Sequence, residues 1–356
     1  MIAIIGAGKM GEALLAGLLA KGHTPQGVLV AEPRVEHAKE LRDRYGIEVV
    51  LAEEAAKRAN TLLLALKPQD LPDLLTDIGH HVDPETLVIS VAAGLTTGAL
   101  EERVPRRTPV VRAMPNTPAL MGKGMTAVAA GRYAAPAHLD RAEELLGAVG
   151  EVLRIDERHM DTVTAISGSG PAYFYYIAET MIEAGVAMGM PRATAQKLVG
   201  QTMNGAATML GGTGEHPVVL RENVTSPGGT TAAALRELER HGVRTAFTDA
   251  IEAARDRSRA LGGLSRFVSG PGGHRQISVA SAREVLFRTV DPGVPMKPGV
   301  CVLCGSKHAH LKRGSPHGRA HVLLAPGGMG RWSHRLRFRS PTSPGTHTCR
   351  ADDGSQ

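Results

Sequence analysis

"IAIIGAGKMGEALLAGLL", residues 2–19, decides how the rest of the chain is read. Four apolar residues enter a glycine turn, and a helical apolar pattern leaves it. The G-x-G-x-x-G spacing of Gly6, Gly8 and Gly11 then has a physical reading. Gly6 turns the chain, Gly8 lets a pyrophosphate approach the backbone, and Gly11 lets helix and strand pack closely. A helix N-terminus offers free N–H groups and a favourable dipole to that anion. Ile5, Gly6, Ala7, Gly8, Lys9, Met10 and Gly11 are therefore candidate dinucleotide contacts. A tight turn with no ligand is the plainer alternative, and the strand–turn–helix setting argues against it.

Outward from this elbow, short apolar runs alternate with helical stretches as far as residue 155. "GVLVAEP", "NTLLLALKP", "TLVISVAAG" and "PVVRAMP" read as strands, with "TAVAAG" and "EVLRID" closing the set. Alternation at this spacing predicts an α/β domain built on a doubly wound, parallel Rossmann sheet. Ligands bind at the carboxyl ends of such strands. Ala65, Leu66, Lys67 and Pro68 of "ALKPQ", and Ala92, Ala93 and Gly94 of "SVAAG", thus join the candidate cofactor contacts. Lys67 is equally well read as a solvated lysine before a helix. At the end of the second strand Glu32 suits the ribose 2′-hydroxyl of NAD, whereas Arg34 suits a 2′-phosphate. The two signals conflict, and position alone leaves both open.

From about residue 156 the period becomes helical and stays so to residue 263. Segments open at Pro or a capping residue and close at Gly. Small Ala/Gly faces allow close helix approach, and so apolar a half is expected to pack on another subunit. "VTSPGGTT" (224–231) interrupts these helices with a Pro, two Gly and four hydroxyl side chains. A helix cap accounts for one hydroxyl and the Pro. It does not account for Gly-Gly followed by Thr-Thr, which can aim consecutive N–H groups at a carboxylate.

Residues 264–356 show neither period, and this third region reads as a low-complexity, disordered tail. It holds 14 Lys and Arg against 4 Asp and Glu, while residues 1–263 hold 27 against 31, so the basicity belongs to the tail. All three cysteines lie there too. Cys301, Cys304, His308 and His310 have a zinc-like order, yet chance in a biased composition is the better reading, and no metal is expected. Tail charge without an aromatic platform does not predict nucleic-acid binding. No apolar run reaches membrane-spanning length, no leader is evident, and the cysteine-free body fits a reducing compartment, so a cytoplasmic protein off the membrane is expected.

Taken together, "IGAGKMG", "LKPQ", "SVAAGL", "RAMPNTP", "SGSGPAY", "AMGMPR" and "VTSPGGTT" resemble the pyrroline-5-carboxylate reductases over residues 1–263. The resemblance implies a Rossmann domain followed by an all-α dimerisation domain, assembled as a dimer or a ring of dimers. It implies a small-molecule substrate, 1-pyrroline-5-carboxylate, reduced to L-proline in the last step of proline biosynthesis. NADPH is the implied cofactor, with NADH as the alternative. It places Thr231 on the imine nitrogen as the catalytic hydroxyl, and Ser226, Gly229, Thr230 and Ala232 around the carboxylate. Glu157 becomes a substrate-side acid and Asn223 a cofactor contact from the helical domain. A β-hydroxyacid dehydrogenase would need a Lys and an Asn after the glycine turn, where this chain has Phe174 and Ala178. A non-catalytic nucleotide-binding relative would be expected to lack the Pro-Gly-Gly-Thr-Thr turn.

Overall fold

The computed structural model describes residues 1–268 together with 309–312, 319–324 and 333–337. The chain divides into two compact units, Met1–Gly270 and Pro271–Gln356. The first unit opens with β1 (Ile2–Ile5), α1 (Lys9–Ala20), β2 (Val28–Ala31), α2 (Val35–Tyr45) and β3 (Glu48–Val49). It continues through α3 (Ala52–Arg58), β4 (Thr61–Leu64), α4 (Leu71–Ile78), β5 (Leu87–Ser90), α5 (Thr97–Glu101) and β6 (Val110–Met114). β7 (Gly124–Ala130), α6 (Pro136–Leu146) and β8 (Gly150–Arg154) complete one eight-stranded sheet, ordered β3-β2-β1-β4-β5-β6-β7-β8.

Each inner strand is buried on both faces, which is why its run is apolar without alternation. Ile2, Ile4, Val28, Val30 and Leu63 point to the face covered by α1, α2 and α6, against Leu14, Leu18, Leu41 and Leu145. Their neighbours Ala3, Ile5, Leu29 and Leu62 point to the other face, against Ala55, Leu71, Leu75 and Leu100 of α3, α4 and α5. Burying one such Leu or Ile contributes about 1.5–3 kcal/mol. Every pairing in the sheet is parallel except that of β6 with β7, so β7 and β8 both run opposite to the other strands. The connection from Met114 to Gly124 holds only a 3-10 turn over Thr117–Met121, too short for the crossover that a parallel return needs. The strand order reverses direction between β1 and β4, which sets the binding crevice beside Gly6.

The helical part follows with α7 (Met160–Val163), a π turn over Thr164–Gly168, α8 (Gly170–Ala187) and α9 (Arg192–Gly212). α10 (Pro217–Asn223), α11 (Thr230–Arg240) and α12 (Val243–Val268) end the unit. α12 runs on through Gly262 and Gly263, past the boundary read from the sequence. α8 packs on α9 beside Gly185, where an added Cβ would make only an ordinary contact, 3.4 Å from that of Ala195. Phe174, Tyr175, Tyr176 and Met188 are 61%, 65%, 71% and 82% exposed. So much bare aromatic and thioether surface on one helix pair marks an interaction face.

In the second unit β9 (Ala309–Lys312), β10 (Arg319–Leu324) and β11 (Ser333–Arg337) pair antiparallel in the order β11-β10-β9. Cys301, Cys304 and His308 of the zinc-like run lie outside the described residues, as does most of the expected tail. Among the described residues no group of three or more metal-ligating side chains occurs, and no helix is long and apolar enough to cross a membrane.

Candidate active site

The carboxyl ends of β2, β1, β4 and β5 lie side by side at one edge of the sheet, where open α/β sheets bind their ligands. Ile5 closes β1, buried, and Gly6 turns away from it at φ +88°, a backbone conformation that a side chain would resist. The turn is tight against the β4 loop, because a Cβ on Gly6 would sit 2.9 Å from the Ala65 carbonyl oxygen and 3.0 Å from Leu66. A Cβ on Gly11 would fall inside the shell of the Gly6 carbonyl oxygen. Gly8, by contrast, faces open space, with nothing within 4 Å of an added Cβ. Thus two glycines close the elbow and the third leaves it open, at the N-cap of α1. A pyrophosphate fits there against free backbone N–H groups.

Lys9 is exposed and Met10 half-buried on the first turn of α1, while Lys67 and Pro68 continue the β4 loop with Lys67 exposed. Ala92 and Gly94 are buried in the β5 loop around half-buried Ala93, and Gly94 takes φ +78°. The Rossmann candidates named from the sequence are therefore grouped on one rim.

Glu32 and Arg34, which the sequence sets in conflict, prove to be partners. Oε1 of Glu32 accepts the Arg34 backbone N–H at 3.0 Å and its Nε–H at 2.7 Å. Oε2 accepts Arg34 Nη2 at 3.0 Å and the Ala7 N–H at 3.2 Å. A carboxylate has about four acceptor positions, so Glu32 has none left for a ribose diol. Burial alone would raise its pKa, yet the hydrogen bonds from Arg34 and Ala7 bring it below the usual carboxylate value. Arg34 stays exposed over 61% of its side chain.

Glu157, expected beside the substrate, has three protein donors around its carboxylate. Its carboxylate accepts the Thr97 N–H at 2.6 Å and the Thr97 hydroxyl at 2.7 Å, with Arg112 Nη1 at 3.5 Å. Arg112 is nearly fully buried on β6. Asn116 makes a second tie between the two parts of the unit. Its Nδ2–H donates to the Ser167 carbonyl at 3.0 Å, while its Oδ1 accepts the Met125 N–H at 2.9 Å. The Ser167 end of that tie lies in the π turn, where the Ser169 N–H reaches back to the Thr164 carbonyl at 2.8 Å. Such turns recur at functional sites. Thr97, Arg112 and Asn116 carried no assigned role in the sequence. Arg112 and Asn116 left a signal, both inside "RAMPNTP", and Thr97 left none.

The 224–231 interruption is a tight turn. Pro227 and Gly228 occupy its middle, Gly228 takes φ +69°, and the Gly229 N–H returns to the Ser226 carbonyl at 3.0 Å. Pro then Gly with positive φ suits a type II turn. Gly229 caps α11, so Thr230, Thr231 and Ala232 form its first turn, with Thr231 and Ala232 half-buried and Ser226, Thr230 and Asn223 exposed. The structure groups the Rossmann candidates with one another and ties Glu157 to Thr97 beside them, while no hydrogen bond among the described residues links 223–232 to that group.

Comparison with known proteins adds to this geometry. Residues 157–261 match the family model described as pyrroline-5-carboxylate reductase dimerisation, and residues 1–94 that of NADP oxidoreductase coenzyme F420-dependent. A pyrroline-5-carboxylate reductase of Corynebacterium melassecola is 47% identical over 265 residues, covering 73% of this chain and 98% of its own. One from Bacillus subtilis is 40% identical over 263 residues, covering 73% and 89%. Among solved structures, the Coxiella burnetii pyrroline-5-carboxylate reductase superposes with a TM-score of 0.69 at 35% identity, covering 73% of this chain and 97% of its own. A Plasmodium falciparum pyrroline carboxylate reductase with NADP bound gives 0.66 at 31% identity, covering 73% and 97%.

Proposed function

The chain belongs to the pyrroline-5-carboxylate reductase family, and from that premise we propose which residues carry its reaction. The reaction is reduction of the C=N bond of 1-pyrroline-5-carboxylate to give proline, the last step of proline biosynthesis, with a reduced nicotinamide dinucleotide. When bound, that cofactor supplies the hydride. The protein supplies position and electrostatics.

The Gly6–Gly11 elbow holds the pyrophosphate at the N-terminus of α1, with Ile5, Ala7, Lys9 and Met10 beside it. Ala65–Pro68 and Ala92–Gly94 line the cleft further along. Arg34 holds the 2′-phosphate. NADPH is favoured over NADH by the saturation of Glu32: the acid that would accept a ribose diol is already surrounded by four donors. That observation carries the cofactor reading.

The substrate carboxylate is received by the first-turn N–H groups of α11, at Thr230, Thr231 and Ala232, with Ser226 and Gly229 on the turn before them. The Thr231 hydroxyl holds the imine nitrogen and the proton that polarises the ring carbon. Asn223 reaches the cofactor from the end of α10. Glu157 acts at one remove, by fixing Thr97 after the cofactor loop. Because 223–232 lies apart from the cleft of its own chain, and Phe174–Tyr176 are bare, the turn closes on the cleft within an assembly. Self-association through the helical part supports this arrangement, and a ring of such dimers is our reading of the larger assembly. The cysteine-free residues 1–263 support a cytoplasmic setting.

The test is oxidation of NADPH, then of NADH, by purified protein with and without pyrroline-5-carboxylate. Imine-dependent oxidation with NADPH preferred is expected. No imine-dependent oxidation of either would overturn the assignment.

A further inference from the structure

Ala7 is held from both sides of its peptide. Its N–H goes to Glu32, and its carbonyl oxygen lies 2.7 Å from Nε2 of His37 on the first turn of α2. A carbonyl only accepts, so Nε2 carries a hydrogen. The other ring nitrogen, Nδ1, stands 3.2 Å from a carboxylate oxygen of Glu40. An ionised carboxylate also only accepts, so that contact is attractive only when Nδ1 is protonated as well. Both neighbours therefore favour the imidazolium.

The charged groups facing His37 are Glu40 on its own helix, Arg34 at the N-cap of α2 and Glu32 at the end of β2. From the phosphate loop comes the Ala7 carbonyl. With His37 protonated the two acids and two cations cancel. With His37 neutral the rim carries one net negative charge beside the place where Arg34 would meet a phosphate. The Ala7 bond and Glu40 raise the His37 pKa above its ordinary value of 6.5, against burial and Arg34. The side chain is 21% exposed, so screening of its charge is partial.

We propose that His37 is a specificity-determining residue for the 2′-phosphate of the cofactor, its imidazolium acting with Arg34 on the rim while it fixes the Ala7 peptide of the phosphate loop. This rests on the reading of that rim as the 2′-phosphate end. Protonated His37 favours the phosphorylated cofactor, and the preference weakens as pH rises through the His37 pKa.

The probes are adenosine 2′,5′-bisphosphate and AMP, bound to the full chain and followed by calorimetry from about pH 6.5 to about pH 9. This range lies above the second phosphate pKa of about 6, so the phosphate is mostly dianionic throughout, and what remains of its own titration would strengthen binding as pH rises, opposite to the fall expected here. Bisphosphate affinity should fall roughly three- to tenfold across the range while that of AMP stays level. In His37→Gln, whose amide still donates to Ala7, the fall should vanish. Glu40→Gln should move it to lower pH, and the His37 titration read by NMR should move with it. A fall that survives in His37→Gln would overturn the proposal, as would a level bisphosphate preference in the unaltered chain. Equal binding of bisphosphate and AMP at every pH would instead remove the 2′-phosphate reading on which it rests.

Discussion

Glu157 grips Thr97 with both oxygens of one carboxylate, the backbone N–H at 2.6 Å and the hydroxyl at 2.7 Å. The pair joins the first turn of the helical part to the residue that starts α5, three positions after Gly94 of the cofactor loop. Arg112, buried on β6, approaches the same carboxylate at 3.5 Å. Removing Glu157 therefore strands a buried guanidinium and a helix-start N–H together. Glu157→Ala should lose about 1–3 kcal/mol of stability in urea unfolding, the range for polar groups left unpaired. Glu157→Gln can still accept from Thr97 and should lose less. Unchanged stability in Glu157→Ala with a raised KM for the imine would return Glu157 to the substrate side.

The elbow glycines separate folding from binding. A Cβ on Gly11 meets the backbone of Gly6, which cannot move without opening the turn, so Gly11→Ala should destabilise the chain by about 1–3 kcal/mol. Gly8 has φ −64° and open space before it, so Gly8→Ala should unfold within about 0.5 kcal/mol of the unaltered chain. Its methyl would occupy the pyrophosphate position, and NADPH affinity should fall roughly tenfold or more, at least 1.4 kcal/mol. Thermal unfolding and cofactor titration on the same two variants decide this. Full NADPH affinity in Gly8→Ala would put the pyrophosphate elsewhere.

Arg34→Ala should act unequally on the two cofactors. It removes the charge that would meet the 2′-phosphate, worth about 1.5–3 kcal/mol for hydrogen bonds to a charged group. KM for NADPH should then rise roughly 10- to 150-fold. It also releases two of the four donors on Glu32, whose freed oxygens can accept a ribose diol, so KM for NADH should hold or fall. The backbone N–H of residue 34 survives the substitution, which is why release is partial. An equal rise for both cofactors would mean that Arg34 supports the loop and not the phosphate.

Some of this was legible along the chain and some was not, for identifiable reasons. Gly6–Gly11 is a local code: one strand, one turn and one helix suffice to read it. β7 keeps its place in that reading but runs antiparallel, a consequence of the short connection after Met114. The Glu32 and Arg34 conflict could not be resolved from position, because nothing in the order of residues says that the two side chains pair, and the fourth donor on Glu32 is the N–H of Ala7, 25 residues earlier. Glu157 entered as a substrate-side acid through the resemblance alone, and its partner Thr97, 60 residues away, could not be seen along the chain. His37 carried no motif, and only folding brings its ring to the Ala7 carbonyl. The Ser226–Gly229 turn was legible as a turn. Which cleft it closes depends on association, and one chain read in order holds no signal for that.

Thr231 gives the sharpest test of the chemistry. Its hydroxyl sits on the first turn of α11, half-buried, where the helix N-terminus would hold a carboxylate and leave the side chain for the ring nitrogen. Thr231→Ala keeps a good helix former at that position, so α11 should persist and NADPH should bind as before. What goes is one hydrogen bond to the reacting C=N, about 1–3 kcal/mol when its partner is left unmade. kcat/KM for the imine should then drop roughly 5- to 150-fold. Thr231→Ser restores the hydroxyl without the methyl and should recover most of the rate. If Thr231→Ala turns over unchanged, the imine proton is managed by another group, and α11 serves only to seat the carboxylate. If Thr231→Ser is as slow as Thr231→Ala, the methyl matters through packing and the hydroxyl has no part in the reaction.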